Sequence, residues 1–255
     1  MERLPAKIAA LVGRHGYTLD GIGCTEAEVR LYEHGPVLKI ETEWAEPRAE
    51  REMTRWLQGR LEVPRVLADC VQRGRSYLLL SRQPGEMACA PGQLRDPERL
   101  VRLLARGLRR IWARDTRGCP GDQRLDRKLE RARRNLEEGR VHPADVDEAI
   151  VGPQGRFPDF RALWACLDAR RPAEDLVFTH GDYCLPNVLL EGEQVRFLDL
   201  GRSGIADRWQ DVALCLRSLA YNLGTDAYRD LLLAELGLPL DREKLEYYLL
   251  LDELF

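Results

Sequence analysis

The sequence contains no C-x-x-C pair, although it carries seven cysteines (Cys24, Cys70, Cys89, Cys119, Cys166, Cys184 and Cys215) in 255 residues. An odd count without paired spacing argues against a disulfide frame or a thiolate zinc cluster and reads as reduced thiols. There are only four histidines and no H-E-x-x-H, so a metal would have to be held by oxygen ligands, which suits magnesium. No apolar run approaches the ~18 residues that a membrane span requires. The opening residues, Met1-Glu2-Arg3-Leu4-Pro5-Ala6-Lys7, lack the apolar core of a signal peptide, so a cytoplasmic protein without a membrane partner is expected. Net charge is only −3, which leaves no global electrostatic case for a nucleic-acid partner. Internal repeats, low-complexity linkers and a Walker A sequence are all missing.

What is present describes a globular chain. Hydrophobic residues make up 44% and charged residues 32%, enough to build a buried core and keep a solvated surface. The length fits one large domain or two modest lobes. Arg95, Arg99, Arg102, Arg106, Arg109, Arg110, Arg114 and Arg117 form one local basic concentration. Leu100, Leu103, Leu104, Leu108, Ile111 and Trp112 supply an apolar stripe beside it at helical spacing, so the arginines read as the solvated face of an amphipathic helix.

Periodicity predicts helix at residues 4–14, strands at 17–23, 27–33 and 37–41, a helix at 47–58, then strands at 65–72 and 76–80. Gln83-Pro84-Gly85 punctuates the chain there. Helical patterns follow at 97–115, 124–138, 158–169, 207–223, 225–236 and 241–253, with short strands near 177, 188–190 and 195–198. The expected fold is α+β in two unequal lobes. A small, mainly β N-terminal lobe covers residues 1–81, a hinge 82–86, and a larger, mainly α C-terminal lobe 87–255, with a helical insertion at about 122–170.

The chemistry concentrates in His180-Gly181-Asp182-Tyr183-Cys184-Leu185-Pro186-Asn187 and in Phe197-Leu198-Asp199-Leu200-Gly201. An Asp, an Asn five positions on, and a second Asp ending an apolar run match the phosphoryl-transfer spacing of protein kinases. There the first Asp orients the attacking hydroxyl, and the Asn and second Asp hold magnesium. Asp182 is the candidate catalytic residue, and Asn187 and Asp199 are the candidate metal ligands. His180 reads as a loop fastener and Asp211 as a brace. On the nucleotide side, Gly21-Ile22-Gly23-Cys24-Thr25 is a turn that could cover phosphates, a weak signal alone. Lys39 is a charge inside the apolar strand Val37-Leu38-Lys39-Ile40. Glu50 could pair with it from the next helix, although Glu46 and Glu52 stand close by.

The chain resembles the aminoglycoside 3'-phosphotransferases, antibiotic kinases with a protein-kinase-like fold. The resemblance rests on Trp56-Leu57-Gln58-Gly59-Arg60-Leu61-Glu62-Val63-Pro64, the loop from His180 to Asn187, Phe197-Leu198-Asp199-Leu200-Gly201-Arg202-Ser203-Gly204, Ala206-Asp207-Arg208-Trp209-Gln210-Asp211, and the tail Tyr247-Tyr248-Leu249-Leu250-Leu251-Asp252-Glu253-Leu254-Phe255. It implies ATP, with GTP as the open alternative, and Mg2+ as cofactors. An aminoglycoside would be the small-molecule partner, and the assembly a monomer or weak dimer. It further implies that Lys39 binds phosphates while held by Glu50, that Thr25 covers them, and that Ser81 to Gln83 offer hinge backbone to the base. Arg202 would be a charge in the site. Asp147, Glu148, Arg217, Asp252, Glu253 and the carboxylate of Phe255 would line the antibiotic pocket. Val37 stands where some members carry an aromatic against the base.

The tail supports a cationic acceptor on physical grounds. Carboxylates at a helix C-terminus oppose the helix dipole. Yet after Lys244 there is no basic residue, while Glu246, Asp252 and Glu253 accumulate. Ordinary solvated tail charge is the competing reading.

Overall fold

The structure is a computed structural model; it describes residues 4–13, 15–21, 27–33, 35–141 and 146–255. A short helix α1 (Ala6–Val12) leads into strands β1 (Tyr17–Leu19), β2 (Glu28–Tyr32) and β3 (Val37–Thr42), helix α2 (Ala45–Leu57), and strands β4 (Val66–Gln72) and β5 (Arg75–Leu80). The strands form one antiparallel sheet in the order β1-β2-β3-β5-β4. Alternation in β3 turns Leu38 and Ile40 into a core with Ile8, Val12, Tyr32, Ala68, Tyr77 and Leu79, and leaves Lys39 on the opposite face.

The remainder is mostly helical. It contains β6 (Glu86–Met87), α3 (Pro91–Leu94), α4 (Pro97–Trp112), α5 (Leu125–Glu137), α6 (Phe160–Ala169), β7 (Leu176–Thr179), β8 (Val188–Glu191), β9 (Gln194–Phe197), β10 (Gly204–Asp207), α7 (Trp209–Leu223), α8 (Arg229–Leu236) and α9 (Arg242–Asp252). The expected α+β division into two unequal lobes is what is found. Periodicity missed β6, α3 and β10. Each is only two to four residues long, too short to show a repeat. The predicted helix at 225–236 starts at Arg229.

The arginines of α4 are more occupied than a solvated face would be. Arg99 donates to the Gly192 carbonyl, Arg106 pairs with Glu193 at 2.7 Å, and Arg109 donates to the Glu235 carbonyl. They staple α4 to the β8–β9 turn and to the end of α8.

The apolar cores do not divide where the chain does. Met53 and Leu57 of α2, with Leu61 and Val63 beyond it, belong to the large helical core. The other side of α2 meets the sheet through polar groups: Arg51 grips Glu43 through two 2.8 Å bonds and Ser76 at 2.5 Å.

Candidate active site

Two chain reversals bring the expected site residues together. In the β8–β9 hairpin Val188 lies opposite Phe197. Asn187, just before β8, and Asp199, just after β9, therefore emerge at the same open end, and the Leu198 N–H donates to the Asn187 carbonyl at 2.9 Å. The second reversal pairs β7 with β10, placing Thr179 opposite Gly204. Both loops, 180–187 and 198–203, are thus suspended between paired strands.

The loop from His180 is tied down at nearly every polar atom. Asp211, fully buried in the first turn of α7, accepts the N–H groups of His180 at 3.0 Å and Gly181 at 2.8 Å, and the Trp112 indole N–H at 3.3 Å. Burial raises the Asp211 pKa against the pull of His180 and these donors. The His180 ring spans the two loops, with Nε2 2.9 Å from the Leu198 carbonyl and Nδ1 accepting the Asp182 N–H at 3.3 Å. Those partners assign the proton to Nε2. His180 is a fastener, as expected, and Asp211 is the brace.

Asp182 receives two side-chain donors. Asn187 Nδ2 donates to Oδ2 at 2.9 Å, and the Cys184 thiol donates to Oδ1 at 3.0 Å. Burial and the neighbouring Asp182 push the Cys184 thiol far above its ordinary range, so it stays protonated and serves as a donor. Sequence reading missed this role for Cys184. The donation from Nδ2 also orients the Asn187 amide, so its oxygen points elsewhere and can meet a cation.

Lys39 and Asp199 meet under the sheet. Lys39 Nζ lies 2.9 Å from Glu50 Oε2, 3.4 Å from Asp199 Oδ2 and 3.8 Å from Glu41 Oε1. Glu50 is thereby selected from its acidic neighbours, and Glu46 serves elsewhere. Burial opposes the lysine charge, yet Glu50, Asp199 and Glu41 hold its pKa well above the ordinary value. Burial raises Glu50, whereas Lys39 and Arg202 draw Asp199 down against the same penalty. Asp199 sits at φ +52°, a conformation that costs a non-glycine residue about 1 kcal/mol or more. Ser81 donates its N–H to the Arg65 carbonyl at 2.8 Å, and its hydroxyl accepts from Gln83 Nε2 at 3.3 Å. Thr25 lies outside the described residues.

The C-terminal tail departs from the expectation of cation-free carboxylates. Arg217 on α7 clamps Asp252 and also Glu253, the latter at 3.2 Å. Arg202 joins Glu46 at 3.0 Å, Asp252 at 3.5 Å and the main-chain oxygen of Phe255 at 3.3 Å. Glu246 is paired with Arg156. The tail recruits its cations from elsewhere in the chain, so an arriving cation must compete with them. Asp147 is exposed, bonds the Ala149 N–H at 2.8 Å, and lies near enough to raise Glu253 electrostatically. Glu148 is also exposed, and among the described residues no side-chain bond joins it to the tail.

Lys128 was not anticipated either. It is 3% exposed, its ammonium 5.1 Å from the Phe255 ring centre. Burial pulls its pKa down to about 7, with Asp252 opposing and Arg202 reinforcing the fall. The unfolded chain keeps its lysine pKa near ~10.4, so between about pH 7 and pH 10 it binds more protons than the folded chain. The penalty is complete below pH 7 and fades as pH rises through that window. Lys128→Met should therefore stabilise the protein by about 2 kcal/mol at pH 6, with the gain shrinking toward pH 10. Urea denaturation at both pH values checks this, and an equal gain at both would contradict it.

A model of the phosphotransferase enzyme family matches residues 25–248. An aminoglycoside 3'-phosphotransferase of Niallia circulans is 37% identical over 260 residues, covering 98% of this chain and 97% of that protein. The chain belongs to the aminoglycoside 3'-phosphotransferase family. It is therefore a kinase-class enzyme with the protein-kinase-like fold. The crystal structure of a type VIII aminoglycoside-3'-phosphotransferase superposes with a TM-score of 0.83 at 31% identity, over 98% of each chain. A Streptomyces rimosus aminoglycoside phosphotransferase solved with ADP and streptomycin superposes at 0.80 with 27% identity, over 97% of this chain and 95% of that one.

Proposed function

We propose that this enzyme transfers the γ-phosphoryl group of a nucleoside triphosphate to the 3'-hydroxyl of an aminoglycoside, an antibiotic-resistance activity. The observation that carries the reading is Arg202. Burial opposes its charge, but Glu46 at 3.0 Å, Asp252 at 3.5 Å and the nearby Asp182 more than offset that cost. The loop aspartate and the acidic tail therefore share one neighbourhood, where a hydroxyl can face Asp182 while ammonium groups face Asp252 and Glu253.

In this reading Asp182, held by Asn187 and Cys184, accepts the hydroxyl hydrogen and aims the oxygen at phosphorus. Little proton transfer is needed early, so positioning and charge stabilisation dominate. Lys39, oriented by Glu50, binds the α- and β-phosphates, with Thr25 covering them and residues 81–83 offering main chain to the base. The Ser81 N–H is already bonded, so base contacts come from the main-chain atoms beyond it. The oxygen-only donor set of Asn187 and Asp199 fits Mg2+, which would neutralise phosphate charge. Asp147, Glu148, Arg217, Asp252, Glu253 and Phe255 line the acceptor pocket. Arg217 keeps the tail carboxylates ordered until an ammonium replaces part of its contact. The expected hinge at 82–86, together with Lys39 under the sheet, supports a nucleotide site between the sheet and the loop from His180.

The test is nucleotide consumption by the purified enzyme with kanamycin, with the 3'-deoxy compound tobramycin, with streptomycin, and with choline. Turnover is expected with kanamycin alone. Turnover on choline or streptomycin without kanamycin would overturn the acceptor. Equal phosphorylation of tobramycin would overturn the 3' position.

A further inference from the structure

Helix α2 touches both halves of the site. Glu46, Glu50, Met53 and Leu57 fall at four-, three- and four-residue steps, one stripe of a helix. Glu50 holds Lys39 at 2.9 Å, and Glu46, one turn earlier, holds Arg202 at 3.0 Å. Met53 and Leu57 bury the same stripe in the large helical core. Between the two glutamates lies Gly201, where a methyl group would meet Glu46 Cγ at 2.9 Å and Glu50 Cβ at 3.5 Å. The helix therefore rests directly on the backbone that follows Asp199. From Arg202 the contacts continue to Asp252 and the Phe255 main-chain oxygen. The N-cap of α2, Trp44, is in turn stacked by Arg140, whose charge lies 4.8 Å from the ring centre.

On the sheet side α2 is held by polar pairs, Arg51 to Glu43 and Arg55 to Asp69. Packed on one face and ion-paired on the other, it joins Lys39 and Arg202 through one helical element.

We propose that α2, through the Glu46–Arg202 pair, couples the nucleotide site to the acceptor tail, so that each substrate tightens the binding of the other. Glu46 is a positioning residue in this scheme: it reaches neither substrate and acts through Arg202. Phosphates drawing on Lys39 set the pose of Glu50 and hence of the helix. Glu46 then sets Arg202, which orders Asp252 and the chain end at Phe255. Thermodynamic linkage requires the same factor in both directions, and couplings of this kind run from about fivefold to about 150-fold. The inference rests on the functional reading above, because it needs both sites to bind.

Calorimetric titration tests it on the intact enzyme with ADP, Mg2+ and kanamycin, each alone and each with the other saturating. In the wild type, kanamycin should lower the Kd for ADP by about fivefold or more, and ADP should lower the Kd for kanamycin equally. Glu46→Gln should keep both single-ligand Kd values within about twofold and reduce the coupling below about twofold. Glu46→Ala should do the same, with thermal unfolding reporting whether either variant is folded. Independent binding in the wild type, or full coupling in a folded Glu46→Gln, overturns the inference. Absence of any kanamycin or ADP binding to the wild type overturns instead the functional reading on which it stands.

Discussion

Asp182→Asn should lower kcat by about 10²–10⁴-fold while leaving the Kd for ADP within about twofold. The substitution keeps the shape of the side chain and replaces one carboxylate oxygen with an amide nitrogen. The carboxylate now accepts from Asn187 Nδ2 on one oxygen and from the Cys184 thiol on the other. A new amide can satisfy only one of those donors as an acceptor, so it keeps its oxygen toward Asn187 and turns its NH2 toward sulfur. Losing one weak loop bond costs about 1 kcal/mol of stability, roughly a factor of five in an equilibrium, far short of the expected loss in turnover. The remainder belongs to the reaction: a neutral amide neither receives the hydroxyl hydrogen nor stabilises charge on the attacking oxygen. The cluster of Lys39, Glu50 and Asp199 that is proposed to meet the nucleotide contains no atom of Asp182, which is why ADP affinity should survive. Steady-state kinetics and ADP titration on the same preparation check both halves; unchanged turnover would remove Asp182 from the mechanism.

Gly181→Ala should destabilise the fold by about 3 kcal/mol and reduce turnover by more than tenfold. Gly181 has φ +87°, a strained conformation for any L side chain. A methyl group there would also overlap the carbonyl oxygen of Arg202. Relief requires separating the loop of Asp182 from the segment that follows Asp199. Strain and overpacking each cost about 1–3 kcal/mol. Gly192, in the β8–β9 turn, has φ +57° with open space around a hypothetical Cβ. Gly192→Ala thus carries the backbone cost alone, about 1 kcal/mol, with turnover unchanged. Urea denaturation and kcat for the pair separate the close approach from the backbone penalty. Equal effects at the two positions would show that the contact with Arg202 does not matter.

Much of the fold was legible because its signals are local. Alternation along Val37-Leu38-Lys39-Ile40 and the apolar stripe of α4 follow from the bonded geometry of strand and helix. β10 was not legible: Gly204-Ile205-Ala206-Asp207 has no alternation to read and is a strand because β7 on one side and residues 121–123 on the other pair with it. In the site, the spacing of Asp182, Asn187 and Asp199 announced phosphoryl transfer. Glu50 could not be told from Glu46 and Glu52 by chain position, yet packing sends Glu50 to Lys39 and Glu46 to Arg202.

The tail shows the boundary between the two kinds of information most clearly. The sequence alone determined that carboxylates collect at the end of α9 without a basic residue beside them, and that the loop from His180 carries the spacing of a kinase. Tertiary structure alone decided that Arg202 and Arg217 already hold those carboxylates, that Lys128 is buried near them, and that Cys184 helps to hold Asp182. Periodicity and motif spacing are consequences of covalent geometry, which a linear sequence displays. Ion pairing and desolvation depend on distance through space and on the medium between the charges, and those exist only once the chain has folded.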